Sequence, residues 1–283
     1  MQILCTRVSC NMVGKLCVIG DINLDLVIHI DSLPGIDEDR EVQALQMKPG
    51  GTACNTILEI ERWRCRAHLF GSRGRDPMGE LVELELHNHD FEKSLILSGF
   101  LTGLCVVIED PYGRRLITHR GANKTTIFNL INGKYDLSGC SWIHLSSLEP
   151  KALEYVKKIA NGSIISYDPG GIQIKRLRNP SLISMVNFLL LNIKEYQFLQ
   201  FEPSELKTKV VVKKGREGAE LIFNNKKIKV EAKKVRKITQ TRGAGDVFDG
   251  AFISCIFNGG TTEECLKIAI NRAGNYIEGG VGC

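Results

Sequence analysis

Residues 142–171 read WIHLSSLEPKALEYVKKIANGSIISYDPGG. Two mainly apolar runs, Trp142–Ser146 and Ile164–Asp168, bracket a segment that starts at Pro150. Proline is tolerated at the first helical position because its missing N–H would have no intrahelical partner there. Apolar runs of strand length separated by helical segments indicate a parallel sheet covered by helices.

Outward from that stretch the alternation continues. Leu16–Gly20 reads as a buried first strand, His68–Gly71 as a short strand, and Met78–His87 as a helix. Apolar positions 53, 57, 60 and 63 predict a helix over Thr52–Ala67 with Thr52 as its cap. Phe188–Leu191 and Lys209–Lys213 are further strands, and helices at about 245–258 and 262–277 close the chain. Residues 26–48 and 99–119 break the rhythm: they alternate polar and apolar residues around Pro34-Gly35 and Pro111-Tyr112-Gly113. They read as antiparallel strands inserted into an α/β fold, the usual raw material of a lid. One domain is expected over residues 14–283, with residues 1–13 a loose N-terminal extension and Met12 an alternative start to Met1.

The 283 residues are 43% hydrophobic and 24% charged, which excludes a disordered chain. No run approaches the roughly 18 apolar residues of a membrane span, and no signal peptide is readable, so a soluble cytoplasmic protein is expected. Ten scattered cysteines without a C-x-x-C pair suit reduced, buried thiols. The six histidines include no H-E-x-x-H, and His87 and His89 read as a surface pair. Net charge is only +5, yet 13 of the basic residues and only three acidic ones fall between Lys207 and Arg242. Within that stretch Lys227–Ala232 alternates with period two, so the lysines read as the solvent face of strands. Phe223 is the one aromatic among them, too few to stack bases, and no nucleic-acid partner is expected.

The chemistry concentrates in Thr241-Arg242-Gly243-Ala244-Gly245-Asp246. Small residues here precede an apolar helical pattern, which leaves backbone N–H groups unshielded at a helix N-terminus, an anion site suited to phosphate. Asp246 projects from the first turn, where it can serve either as an ordinary helix acid or as the acceptor of a hydroxyl proton. Far away in sequence, Lys48-Pro49-Gly50-Gly51-Thr52-Ala53-Cys54-Asn55 sets another glycine pair against a helix start. Gly20-Asp21-Ile22-Asn23-Leu24-Asp25 places polar groups after the first strand. Two such loops suggest two ligands meeting at the carboxyl edge of the sheet.

These residues resemble the ribokinase (PfkB-type) carbohydrate kinase family. The likeness runs from about Gly14 to Gly282 and includes residues 20–25 and 49–55, Gly74-Arg75-Asp76-Pro77-Met78-Gly79, Asn192-Ile193-Lys194-Glu195, Lys213-Lys214-Gly215-Arg216-Glu217-Gly218 and residues 241–246. It implies a ribokinase-like fold: a mostly parallel central sheet flanked by helices on both faces, plus a small β-sheet lid. It also implies transfer of the ATP γ-phosphoryl group to a hydroxyl of a small sugar, with a nucleoside as the alternative acceptor and a non-catalytic binding protein as a remote third. By this resemblance Asp246 is the general base, and Gly243, Ala244 and Gly245 form the anion hole. Asn23, Asp25, Gly50, Gly51, Asn55 and Glu149 bind the acceptor. Asn192, Lys213, Gly215, Gly218 and Asn271 bind ATP, while Glu195 organises Mg2+ through water.

The sequence also departs from the family pattern. Gln240 stands where many relatives carry an aspartate that helps hold a monovalent cation, which argues against such activation. Residues 50–55 read G-G-T-A-C-N rather than the G-G-K-G-A-N of ribokinases, which weakens ribose as the acceptor. The final helix usual in relatives is missing after Gly279. Arg120-Gly121-Ala122-Asn123 looks like a sugar-side element, and Asp168-Pro169-Gly170 is similar to a feature of nucleoside-phosphorylating members. Relatives that pair through the lid suggest a homodimer.

Overall fold

The computed structural model describes residues 14–199, 207–232 and 234–279. The N-terminal extension expected over residues 1–13 lies outside the described residues. The central sheet contains parallel strands β1 (Lys15–Gly20), β4 (Ala67–Gly74), β5 (Glu92–Ser98), β8 (Cys140–Ser146), β9 (Ile164–Asp168), β10 (Phe188–Asn192) and β11 (Lys209–Lys213). The antiparallel hairpin of β12 (Ala219–Phe223) and β13 (Lys226–Val230) extends it. Their order is β13-β12-β11-β10-β9-β8-β1-β4-β5. The lysine-rich alternation therefore falls on an edge strand, where charge discourages strand-to-strand pairing.

Alternate residues of the inner strands feed two apolar layers. Leu16, Val18 and Trp142 join one layer with α1 (Thr52–Glu61), α2 (Pro77–His87), α8 (Ala244–Phe257) and α9 (Thr262–Ile277). Cys17, Ile19 and Ile143 join the other with α3 (Asn123–Ile131) and α4 (Lys151–Ile159). The short helices α5 (Gly170–Gln173), α6 (Pro180–Ile183) and α7 (Ile193–Tyr196) complete the connections. Helices thus cover both faces, and each fully buried large apolar side chain contributes about 1.5–3 kcal/mol.

The inserted regions build a separate sheet of β2 (Asn23–His29), β3 (Ala44–Gly50), β6 (Gly103–Asp110) and β7 (Gly113–His119), in the order β3-β2-β6-β7. Each region folds back antiparallel on itself, while β2 and β6 join them in parallel.

Three expectations are corrected. Helix α1 stops at Glu61 rather than reaching Ala67, because Arg64 turns into the left-handed region (φ 55°) and redirects the chain into β4. Thr52 is the first helical residue and not the cap. Gly51 holds the cap position at φ 92°, and the Thr52 hydroxyl donates to Ser147 Oγ at 3.1 Å. Nor are all the cysteines reduced: Cys17–Cys140 and Cys255–Cys265 are disulfides, with Cα separations of 5.8 and 5.3 Å. The first joins neighbouring strands β1 and β8, 123 residues apart, so no spacing motif announces it. Cys54 and Cys105 remain buried thiols. Among the described residues no helix is long and apolar enough to cross a membrane.

Candidate active site

Gly243 caps helix α8 at a φ of 77°, a left-handed angle that glycine adopts without strain. The N–H of Ala244 is drawn back to Thr241 O at 3.4 Å, while those of Gly243, Gly245 and Asp246 have no hydrogen-bond partner among the described residues. Those free donors, with the helix dipole behind them, form an anion site. One turn further on, Gly250 packs directly against the Thr56 carbonyl and the Glu59 side chain of α1. This close approach brings the first turns of α1 and α8 together, and Asn55 Nδ2 donates to Asp246 Oδ2 at 2.8 Å. The two glycine loops, 191 residues apart, meet at that bond. The Asp246 pKa is pushed up to about 7, mainly by burial and further by the Asp168 charge; the Asn55 hydrogen bond, Lys213 and Arg242 oppose the rise.

A cavity of about 280 Å³ opens between the lid and this junction, lined among others by Asp25, Lys48, Asn55, Arg242 and Tyr276. Arg242 Nη2 lies 2.5 Å from Asp25 Oδ1. Burial raises the Asp25 pKa against the pull of Arg242 and Lys48. A larger cavity of about 680 Å³ opens at the amino ends of β8 and β9, but no ionisable side chain lines it, and it lies at the edge of the sheet opposite Asp246. Size does not identify the site here; chemistry does.

The strands β9, β10 and β11 deliver Asp168, Asn192 and Lys213 to the same carboxyl edge. Lys213 Nζ donates to Asp168 Oδ2 at 2.8 Å and to Asp249 Oδ1 and Oδ2 at 2.9 and 2.8 Å. Burial works against the ammonium, but the two carboxylates outweigh it and hold its pKa above the ordinary lysine range. Asn192 and Glu195 form a reciprocal capping box on α7, each side chain bonding the other's backbone N–H at 2.9 Å. Glu195 is buried, and its pKa rises to about 7 through burial and then the Asp168 charge.

A sequence model of the pfkB family carbohydrate kinases matches residues 13–278. This chain belongs to the pfkB family. It is therefore a phosphotransferase with an alcohol group as acceptor, a sugar or nucleoside kinase. A nucleoside kinase of Methanocaldococcus jannaschii is 24% identical over 280 residues, covering 93% of this chain and 90% of the relative. An ATP-dependent ribose-1-phosphate kinase of Halopiger xanaduensis is 26% identical over 282 residues, covering 93% and 91%. In three dimensions, the M. jannaschii nucleoside kinase superposes with a TM-score of 0.79 at 23% identity, covering 94% and 92% of the two chains. An Arabidopsis thaliana ribokinase complexed with ribose and ATP gives 0.75 at 23%, covering 94% and 93%.

Within this pfkB-family kinase the expected site residues separate into groups. Asp25 and Asn55 line the cavity; Asp246 is not among its lining residues but is hydrogen-bonded to Asn55, which is. Asn23 does not line it: its Oδ1 accepts from Asn123 Nδ2 at 2.7 Å, and Asn123 Oδ1 accepts from Ile22 N at 2.8 Å. Gly50 is needed because any side chain there would collide with the Asp25 carboxylate, and Gly51 because of its backbone angle. Glu149 stands apart, paired with Lys151 at 3.1 Å and Arg176 at 3.2 Å. Lys213, expected at the nucleotide, is the centre of a buried ion triad with Asp168 and Asp249. Gly215 has open space before it, as a nucleotide-facing turn requires, whereas Gly218 is packed against the backbone of Val230–Ala232. Asn271 is exposed on α9.

The structure adds Tyr276, which the sequence reading passed over, and gives partners to Arg242, Arg120 and Gln240. Tyr276 carries its hydroxyl to 3.0 Å from where a Cβ on Gly243 would lie, and Arg242 reaches Asp25. Tyr276 belongs to the helical pattern of α9, so only the packing reveals it. Arg120 pairs with Asp21 at 2.9 Å and so braces the end of β1. Gln240 Nε2 donates to the Tyr276 carbonyl at 3.1 Å, satisfying a carbonyl at the end of α9.

Proposed function

We propose that this kinase transfers the γ-phosphoryl group of ATP to a hydroxyl of a small sugar, with Asp246 as general base. The single observation that carries the reading is the 2.8 Å hydrogen bond to Asp246 from Asn55, a residue that lines the 280 Å³ cavity. A base must lie within reach of the hydroxyl it deprotonates, and its pKa serves best near the working pH. Asp246 takes the hydroxyl proton as the sugar oxygen forms its bond to the γ-phosphorus. The bond from that phosphorus to the bridging oxygen breaks, and ADP leaves with the electron pair. The free N–H groups of Gly243 and Gly245 stabilise the transferring oxygens, each donor contributing about 3–4 kcal/mol by analogy with acyl-transfer sites. Alignment of the two reactants supplies roughly 7–11 kcal/mol more.

Mg2+ belongs to this reading as an ion carried by the nucleotide. Among the described residues no cluster of three His, Cys, Asp or Glu side chains could hold a metal. A nucleotide-borne Mg2+ needs only one or two carboxylates beyond phosphate and water, and Glu195, on α7 directly after β10, would supply one; burial first and then the Asp168 charge raise its pKa, which a nearby cation would lower again. When bound, the ion neutralises phosphate charge. The reading also takes the reaction to be cytoplasmic and residues 14–283 to act as one domain with the four-stranded sheet as lid.

Phosphoryl transfer measured across hexoses, ribose, adenosine, cytidine and inosine tests the proposal. Turnover of a nucleoside with none of any sugar would replace it by the nucleoside-kinase reading. Pairing through the lid is supported by its outer face, where Leu45, Met47 and Ile117 are 52%, 55% and 63% exposed. Light scattering that gives a monomer mass at micromolar concentration would refute the dimer.

A further inference from the structure

We propose that Tyr276 is a further catalytic residue, its hydroxyl donating a hydrogen bond to an oxygen of the phosphoryl group in transit. This rests on the kinase reading and adds a donor that the reading does not otherwise use.

Tyr276 is the penultimate residue of α9, and the segment leading into the anion turn hangs from that helix end. Thr239 N and Gln240 N donate to Ile277 O at 2.8 and 3.2 Å, and Gln240 Nε2 donates to Tyr276 O at 3.1 Å. The phenol and Gly243, which follows Gln240 closely, are therefore carried by one hydrogen-bonded unit. The side of Gly243 that lacks a Cβ opens on a gap between two side chains. The point where a Cβ would stand is 3.0 Å from Tyr276 Oη and 3.5 Å from Asn55 Nδ2. Both side chains also line the cavity under the lid. Among the described residues Tyr276 Oη makes no hydrogen bond, and Asn55 Nδ2 gives only one of its two N–H groups, to Asp246.

A gap bounded by donors calls for an atom that accepts. A sugar hydroxyl has a proton to give and needs the Asp246 carboxylate for it. A phosphoryl oxygen has only lone pairs, and three uncommitted donors surround this turn: the phenol, the second N–H of Asn55 and the N–H of Gly243. The phenol stays protonated at neutral pH. Burial and then the Asp246 charge raise its pKa above the ordinary phenol value; Asp25 adds to the rise, and Arg242 and Arg114 oppose it. A cation at this place would pair with one of those acids, whereas a neutral O–H remains available as a donor. Donors fixed in advance toward developing charge favour the transition state over the ground state, and the tie to the end of α9 fixes this one. The phenol neither loses its proton nor takes up the phosphoryl group: the bonds made and broken are those of the transfer above.

Tyr276→Phe removes the hydroxyl and keeps the ring against Gly243. With the full chain, ATP, Mg2+ and an acceptor that the parent turns over, kcat is expected to fall by about 10–100-fold, the worth of one hydrogen bond to a charged group. Both KM values should stay within about threefold, and the urea midpoint should not move. A fully active Tyr276→Phe would overturn the proposal, since a packing role needs only the ring. So would a raised acceptor KM at unchanged kcat, which puts the hydroxyl on the acceptor instead. Calorimetry with MgADP, alone and with aluminium fluoride standing in for the transferring phosphoryl group, reads the same contact without turnover. MgADP alone should bind parent and variant equally, and the affinity gained from aluminium fluoride should be smaller in Tyr276→Phe by about 10-fold or more. An equal gain in the two proteins refutes the role of Tyr276 and leaves the kinase reading standing. A parent that turns over no acceptor and gains nothing from aluminium fluoride ends the kinase reading, and this inference with it.

Discussion

Lys213→Met tests the physics beneath the anion loop most directly. The ammonium holds three carboxylate oxygens at 2.8, 2.9 and 2.8 Å, and the side chains of Lys213, Asp168 and Asp249 are 11%, 13% and 1% exposed. Removing the cation strands two acids in a space too dry for both to ionise. Breaking a buried pair in this way costs about 3–5 kcal/mol, a large share of the roughly 5–15 kcal/mol that holds a native protein together. The pH dependence gives the sharper signature. In the parent, burial lifts Asp168, but Lys213 and its hydrogen bonds more than compensate, so its pKa lies below 3.8. That contribution is present above 3.8 and lost as pH falls through the lowered folded value. In the variant burial dominates at Asp168 against the remaining Gly170 and Asp249 hydrogen bonds and lifts its folded pKa above the unfolded one, and Asp249, already raised by burial in the parent, rises further without Lys213. Stability is then greatest below the unfolded pKa and declines as pH rises through the raised values. The deficit relative to the parent therefore widens with pH. Urea unfolding followed by the fluorescence of buried Trp142 at pH 5 and pH 8 measures it. A deficit under about 1 kcal/mol at pH 8, or one larger at pH 5 than at pH 8, would refute the reasoning.

Other outcomes follow from the same geometry. Activity should rise with pH through an apparent pKa of about 7, because Asp246 acts only when deprotonated; a flat profile from pH 6 to 8 under saturating ATP would exclude it as the base. Asp246→Asn should lower kcat by about 10²–10⁴-fold with little change in unfolding free energy, as measured by coupled assay and denaturation. Gly250→Val should push α1 from α8, cost about 1–3 kcal/mol and reduce kcat, because the Asn55–Asp246 bond depends on that approach; a stable, fully active variant would show that the contact is not needed. Cys17→Ser with Cys140→Ser should lower stability by about 2–5 kcal/mol in unfolding under oxidising conditions, since the bond closes a loop of 123 residues.

Much of the fold could be read from periodicity alone. Strands β9 and β11 fall within the residues expected of them, and helices α8 and α9 start within a residue of expectation, because unbroken apolar runs and 3.6-residue spacing are local properties. Helix ends were harder. The left-handed turn at Arg64 and the cap at Gly51 depend on where the chain must go next, which a propensity does not contain.

The glycine turn before Asp246 and the polar residues of 20–25 and 49–55 were visible as chemistry because glycine next to a helix start has few other uses. The pairing of those pieces is a different kind of fact. Tertiary packing alone decided that Lys213 lies buried between Asp168 and Asp249, that Asn123 donates to Asn23, and that Arg242 rests on Asp25. Each of these contacts spans at least 36 residues, and its distance is set by strands and helices converging at one edge of a sheet. A linear sequence records which groups are available and the local structures they prefer. Which charge ends up beside which is fixed only when the layers close, since an electrostatic interaction depends on separation in space and on the water excluded around it.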